Sequence, residues 1–147
     1  MKKGYDFTGV AIVFACHDGN GNYLFAKRSP GARDGHGCWE IPAGGLKFGE
    51  RVADGLQREL KEELCVEPIS VEYIGYKEVI QKEGDTIIKH WVNFQFHVLV
   101  NRDEVAIGEP DKCDAIDWRR LEDVPSPLHY GVPETITDIS NFLNTKK

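Results

Sequence analysis

Residues 50–64 constrain the fold more than any other stretch, because their spacing satisfies one secondary structure and no other. At about 100° per residue, Ala53, Leu56, Leu60 and Leu64 gather into one stripe, while Glu59, Glu62 and Glu63 gather roughly a quarter-turn away. The spacing predicts a helix with one packing face and an adjacent acidic face. It is entered from Pro42-Ala43-Gly44-Gly45-Leu46-Lys47-Phe48-Gly49, a glycine-rich loop in which backbone groups can approach a ligand closely. Gly55 lies inside the helix, where it costs about 1 kcal/mol relative to alanine. Close packing against a sheet is the reason to keep it.

The rest of the chain reads mainly as strands. Residues 7–16 (FTGVAIVFAC) and 22–29 (NYLFAKRS) are apolar and β-branched, and the turn formers between them predict a hairpin. Residues 30–37 carry three glycines and a proline, which predicts an exposed, mobile loop. Residues 39–41 form a short strand stopped by Pro42. Two long strands, 69–81 and 86–100, meet at Lys82-Glu83-Gly84-Asp85, with a further short strand at 115–118. Residues 132–143 close the chain as a helix with Pro133 near its start. Strands and helices mix without strict β-α-β alternation, so the expected fold class is α/β, a mixed sheet packed between helices. At 147 residues, one domain covering 1–147 is expected.

Composition narrows the function. Apolar residues make up 41% and charged residues 29%, and no window approaches the run of about eighteen apolar residues a membrane span needs. No export signal is read at Met1-Lys2-Lys3, and the lysines there are read as solubilising. Cys16, Cys38, Cys65 and Cys113 are scattered without zinc spacing, which fits a reducing cytoplasm and small core residues. A net charge of −6 argues against a nucleic-acid polymer as partner, since such affinity rests on lysine and arginine neutralising phosphates. A small phosphorylated ligand stays open if a divalent cation bridges the charges.

Carboxylates at i, i+3 and i+4 repel unless something neutralises them. A solvated face is the commonplace explanation, but the glycine-rich loop beside it favours another. Hard cations bind best to several carboxylate and carbonyl oxygens held together. Mg²⁺ there would offset the repulsion, hold phosphate oxygens and lower the pKa of a bound water.

Gly44, five residues, Glu50, seven residues, Arg58-Glu59-Leu60, one residue, Glu62-Glu63, one residue, then Cys65-Val66 resembles the Nudix box, in which glycine stands where this chain has Cys65. Trp39-Glu40-Ile41-Pro42 before it, and Glu109-Pro110-Asp111-Lys112-Cys113 with Asp117-Trp118 after it, are similar to MutT-like nucleotide hydrolases. The resemblance covers about residues 7–125 and implies a Nudix-like α/β/α sandwich. It also implies roles. Glu59, Glu62 and Glu63 would carry Mg²⁺, with Mn²⁺ as a substitute, together with the backbone carbonyl of Ala43. Arg58 would orient Glu59, and Glu59 or another family position would activate water; Glu59, Arg58 and Glu62 form the catalytic set. Glu50 would fix loop to helix. Arg28 matches a phosphate-binding arginine of MutT-like enzymes, with a solvated strand end as the equal alternative, and Gly44 and Gly45 would line the substrate. Lys27 and Arg33 are weaker phosphate candidates. Glu109 is an outer candidate on the same face, and Trp39, Trp91 and Trp118 read as core before base-stacking. Cys65 must take a left-handed conformation or end the helix another way.

The implied activity is Mg²⁺-dependent cleavage of the diphosphate in a nucleoside diphosphate linked to a group X. The first choice is a nucleoside triphosphate yielding monophosphate and pyrophosphate. The ADP-ribose subgroup's downstream proline is missing from Ile80-Gln81-Lys82-Glu83, and Tyr73 and Tyr76 come too early for the dinucleoside-polyphosphate subgroup. The rival is a catalytically idle Nudix domain that binds a nucleotide or nucleotide-sugar as a sensor or assembly module. A third alternative, a small α/β binding protein, leaves the box unexplained. Base recognition is expected from a few loop side chains, and a homodimer through the long strands is a further expectation.

Overall fold

The computed structural model describes residues 1–146. Its strands are β1 (Gly9–His17), β2 (Tyr23–Arg28), β3 (Trp39–Glu40), β4 (Ala43–Gly45), β5 (Ser70–Glu83), β6 (Thr86–Leu99) and β7 (Cys113–Arg119). Two α-helices accompany them, α1 (Val52–Leu64) and α2 (Val132–Thr145), with a short 3₁₀ turn at Arg102–Glu104.

The seven strands form one mixed sheet in which β3, β2, β1, β6 and β5 lie side by side, β7 pairs β2 and β4 pairs β1. β1 runs parallel to β6 from Gly9↔Trp91 to His17↔Leu99, and β5 returns antiparallel along β6. Buried on both faces, β1 is necessarily a continuous apolar run rather than an alternating one. Ile12, Phe14 and Cys16 pack with Leu56, Leu60 and Leu64 of α1. Val13 and Ala15 face the other way, into a core closed by Val132 and Ile139 of α2. The α/β/α sandwich expected from the sequence is the fold observed.

β1 and β2 pair at His17↔Tyr23 and then part. Into the opening runs the segment from β3 to β4: β3 stays on β2, while Ala43, Gly44 and Gly45 pair with Val13, Ile12 and Ala11 of β1. The glycine-rich stretch is therefore part strand rather than loop throughout. Glycine suits it at Gly44 because the Glu59 carboxyl below leaves no room for a Cβ. Three further details differ from the sequence expectation. The helix begins at Val52, two residues late, and Val52 packs on the core where Ala53 is exposed. Residues 30–37 are a loop, but Asp34 and the buried Ala32 pin it to the body.

Cys65 ends α1 in the left-handed conformation (φ 57°, ψ 31°), the one such non-glycine among the described residues. Strain of this kind costs about 1–2 kcal/mol. The segment after the 3₁₀ turn offsets it by capping the helix: Ala106 N donates to Leu64 O at 3.0 Å and Gly108 N to Glu63 O at 2.8 Å. A Cβ at Gly108 would lie 2.1 Å from Glu62 O, so the cap closes only with glycine there. That cap carries Glu109 to the acidic side of α1.

Candidate active site

Arg58 organises the helix's acidic face. Its Nε and Nη2 reach both oxygens of Glu50 at 2.7 and 2.9 Å, Nη1 donates to Glu59 at 2.8 Å and to Glu62 at 3.1 Å, and Nη2 also donates to Gly45 O at 3.0 Å. A planar guanidinium can hold several acceptors in fixed directions, which an ammonium cannot. One side chain thus locks the helix, β4 and the turn before α1 together. Glu50 also accepts from Lys47 N at 3.1 Å, and the Arg58 hydrogen bonds hold its carboxyl down at about 2.

Glu59 lies under β4. A Cβ built on Gly44 would stand 2.1 to 2.5 Å from its carboxyl atoms, so the glycine makes room for that carboxylate. Burial pushes Glu59 above the ordinary carboxylate range against the pull of Arg58. Glu63 is pushed higher, first by burial and then by Glu59, Glu40 and Glu109. Glu62 is half-exposed at the rim. The acidic set is therefore larger than the helix spacing implied: Glu109, expected as an outer candidate, and Glu40, not foreseen, both bear on it. Glu40 is itself raised by burial, and only Arg28 opposes this strongly.

This donor set suits a hard divalent cation, because Arg58 alone faces Glu50, Glu59 and Glu62, and the buried Glu63 is opposed only by Lys112. Among the described residues no three His, Cys, Asp or Glu side chains converge on one point, since Glu59 and Glu62 are both turned toward Arg58.

Arg28 lines the same cavity, but its guanidinium is engaged by Glu40 at 2.8 Å and by Asp34 through Oδ1 at 3.0 Å and the backbone oxygen at 2.7 Å. Asp34 also takes Lys89 at 2.7 Å, Tyr5 at 2.9 Å and His129 at 3.2 Å. These donors, His129 first, depress its pKa strongly. Nothing in the sequence pattern marked Asp34 as this hub. Lys3, read as a solubilising terminal residue, instead docks in the site, with Nζ 2.7 Å from Leu46 O and 2.8 Å from where a Gly45 Cβ would stand. Arg33 lies over Trp91 at 5.1 Å. Trp91 is packed so closely on Gly4 and Gly9 that neither could carry a side chain. Trp39 and Trp118 sit against the two cores.

A second cavity opens between the sheet and α2, lined by Val13, Lys77, Trp91, Asn93, Val132 and Thr135 among others. It shares Arg28, Glu40, Ala43, Gly44 and Gly45 with the acidic cavity. One continuous groove thus runs from the acidic helix, past the glycines, to the start of α2.

The NUDIX domain profile matches residues 7–138, most of the chain. The chain belongs to the NUDIX family. Among its relatives are an RNA pyrophosphohydrolase of Acinetobacter baylyi, 32% identical over 123 residues (82% of this chain, 60% of that protein), and one of Psychrobacter arcticus, 37% identical over 139 residues (92% and 67%). The chain thus spans roughly three-fifths to two-thirds of the length of these relatives. Among solved structures it is similar to a MutT NUDIX hydrolase of Burkholderia pseudomallei, with a TM-score of 0.79 and 25% identity over 91% of this chain and 99% of that one. The Cys65 departure sits outside the acidic set, and NUDIX membership is unaffected by it.

Proposed function

We propose that this NUDIX domain, as a single unit spanning 1–147, is a Mg²⁺-dependent hydrolase of the diphosphate linkage in a nucleoside diphosphate joined to a group X. A nucleoside triphosphate cut to monophosphate and pyrophosphate is the first choice. The observation that carries this is the Arg58 network, which holds Glu59 and Glu62 against the strand that brings Gly44 and Gly45 alongside. Mg²⁺ on Glu59, Glu62, Glu63 and the Ala43 carbonyl would neutralise the carboxylates, hold phosphate oxygens and make water a stronger nucleophile. Arg58 positions Glu59, Glu50 positions Arg58, and the missing Cβ at Gly44 lets the Glu59 carboxylate lie against the backbone beside the Ala43 carbonyl. The water oxygen bonds to phosphorus as the bridging P–O bond breaks, and the water proton passes to a carboxylate on this face. Because Arg28 is tied to Asp34 and Glu40, it contacts phosphate only by exchanging one of them.

A second substrate reading has its own support. Three relatives, the two above and one of Psychrobacter cryohalolentis, are named RNA pyrophosphohydrolase, and a 5′-triphosphate on RNA presents the same linkage. The test, with Mg²⁺ and for wild type and Glu62→Gln, is pyrophosphate release from nucleoside triphosphates and a 5′-triphosphorylated oligoribonucleotide, and nucleoside monophosphate release from ADP-ribose and dinucleoside polyphosphates. Turnover of free triphosphates lost in the variant supports the first choice, and turnover of the oligonucleotide alone moves the substrate to RNA. No turnover of any, with Mg²⁺-dependent nucleotide binding, leaves the sensor.

A further inference from the structure

The cavity between the sheet and α2 has apolar walls and a polar floor, and the floor is incomplete. Lys77 on β5 and Asn93 on β6 are cross-strand neighbours in the register, so their side chains lie side by side on the face toward α2. Lys77 Nζ donates to Gly131 O at 2.5 Å and to Thr135 Oγ1 at 2.7 Å. An ammonium has three N–H groups, so one remains to be used. Among the described residues no carboxylate comes within ion-pair distance of it, and burial lowers its pKa. Asn93 Oδ1 is buried and accepts no hydrogen bond within the described protein. A buried acceptor left unmade is unfavourable, and native structures keep few of them. Gln95, two residues on, has an unmade oxygen too, but its Nε2 is held by Asp138 at 3.2 Å and it does not line the cavity.

Trp91, Val79 and Val132 supply flat apolar walls around this pair, the usual composition of a site for a heteroaromatic ring with a few polar groups that fix its orientation. The groove also joins this floor to Gly44 and Glu40, where the phosphates would lie. We propose that Asn93 and Lys77 read the base of the bound nucleotide. An N–H on the base edge donates to Asn93 Oδ1, and the neighbouring ring acceptor or carbonyl takes the third N–H of Lys77. The amide torsion is broad, so a half-turn presents the Asn93 oxygen to the cavity. Base choice then resides on two rigidly paired strands rather than on the loops the sequence suggested. The inference rests on the substrate being a nucleotide, and adjacent ribose hydroxyls could supply the same donor and acceptor.

The test uses two readouts on the full chain. The first is kcat/KM for the four ribonucleoside triphosphates and their deoxy forms with Mg²⁺. The second is metal-free binding of the four nucleoside monophosphates by calorimetry. Wild type is expected to rank the bases over more than about tenfold, and Asn93→Leu to compress that ranking to within about threefold while the ribo-to-deoxy ratio stays put. Lys77→Met is expected to compress it likewise. Asn93→Leu removes no hydrogen bond to its oxygen, so its Tm should match or exceed wild type, which separates a reading role from a folding defect. A base ranking untouched by Asn93→Leu, or a ribo-to-deoxy ratio that moves instead, overturns the proposal. Base-ranked monophosphate binding without turnover supports it while removing the nucleoside triphosphate as substrate. No nucleotide binding or turnover in either readout overturns both the base-reading proposal and that substrate choice.

Discussion

The acidic face of α1 and the floor of the second cavity are both polar arrays set against apolar cores, yet they are built in different ways. On α1 the functional groups are sequence neighbours. Glu59, Glu62 and Glu63 lie within five residues, and Arg58 joins them to Glu50 and Gly45. On the cavity floor Asn93 and Lys77 are brought together by strand register, with Gly131 and Thr135 added from α2. The first array carries excess like charge and needs a cation. The second carries an unmade acceptor and an unpaired ammonium and needs a neutral polar partner. On the two proposals, rate and selectivity are divided between two parts of one groove.

Removing a carboxylate from α1 tests that division most severely. Glu59→Gln and Glu62→Gln should each lower kcat/KM by about a thousandfold on every accepted substrate, since several kcal/mol of charge stabilisation is lost and each 1.36 kcal/mol is tenfold. A change in base preference instead of a uniform loss would place selectivity on the helix and break the comparison.

Gly44→Ala probes the seam between the two regions. The new Cβ would occupy the space of the Glu59 carboxyl, and a displacement of about 1 Å there should cost about a hundredfold in kcat. Steady-state kinetics with unchanged circular dichroism would confirm it, and wild-type kcat would show that Glu59 moves freely aside.

Stability measurements sharpen the charge argument. Glu63 has its folded pKa raised, so its ionised form is disfavoured in the fold and destabilises the metal-free protein as pH rises above the ordinary carboxylate value. Glu63→Gln should therefore raise the metal-free Tm at neutral pH, by about 2–4 °C for each 1 kcal/mol relieved, and should reduce the Tm gain on adding Mg²⁺. A lower Tm would mean the carboxylate is stabilising as it stands.

The smallest effect concerns Glu50. Its folded pKa is depressed to about 2, so its contribution is present above the unfolded value of about 4.3 and fades as pH falls from there toward 2. Thermal melts across that window should show an acid-side loss that Arg58→Gln diminishes. An unchanged acid profile in the variant would remove Arg58 as the cause.

What could be read before the fold was known follows the same split. The period of the apolar and acidic residues located α1, and the motif brought Glu50, Arg58, Glu59, Glu62 and Glu63 into one set, of which the structure gathers Glu50, Glu59 and Glu62 around the Arg58 guanidinium and leaves Glu63 off it. Arg28 was also legible as a site residue, but its engagement by Asp34 and Glu40 was not, because both partners come from loop and strand positions with no fixed spacing to it. Lys3 looked like a solvated terminal residue until the Gly4 turn against Trp91 placed it over Gly45.

By itself the sequence determined the elements whose causes are local: a 3.6-residue period for α1, apolar runs for β1 and β6, glycines where a Cβ would collide, and a carboxylate spacing that demands neutralisation. Only the tertiary structure decided which distant side chains meet. The pairing of β5 with β6 sets Lys77 beside Asn93, the capping of α1 by Ala106 and Gly108 brings Glu109 to the acidic face, and the parting of β1 from β2 opens the groove. Such contacts depend on register and on packing between elements far apart in the chain, and a slip of one residue in a strand would turn each of these side chains to the other face.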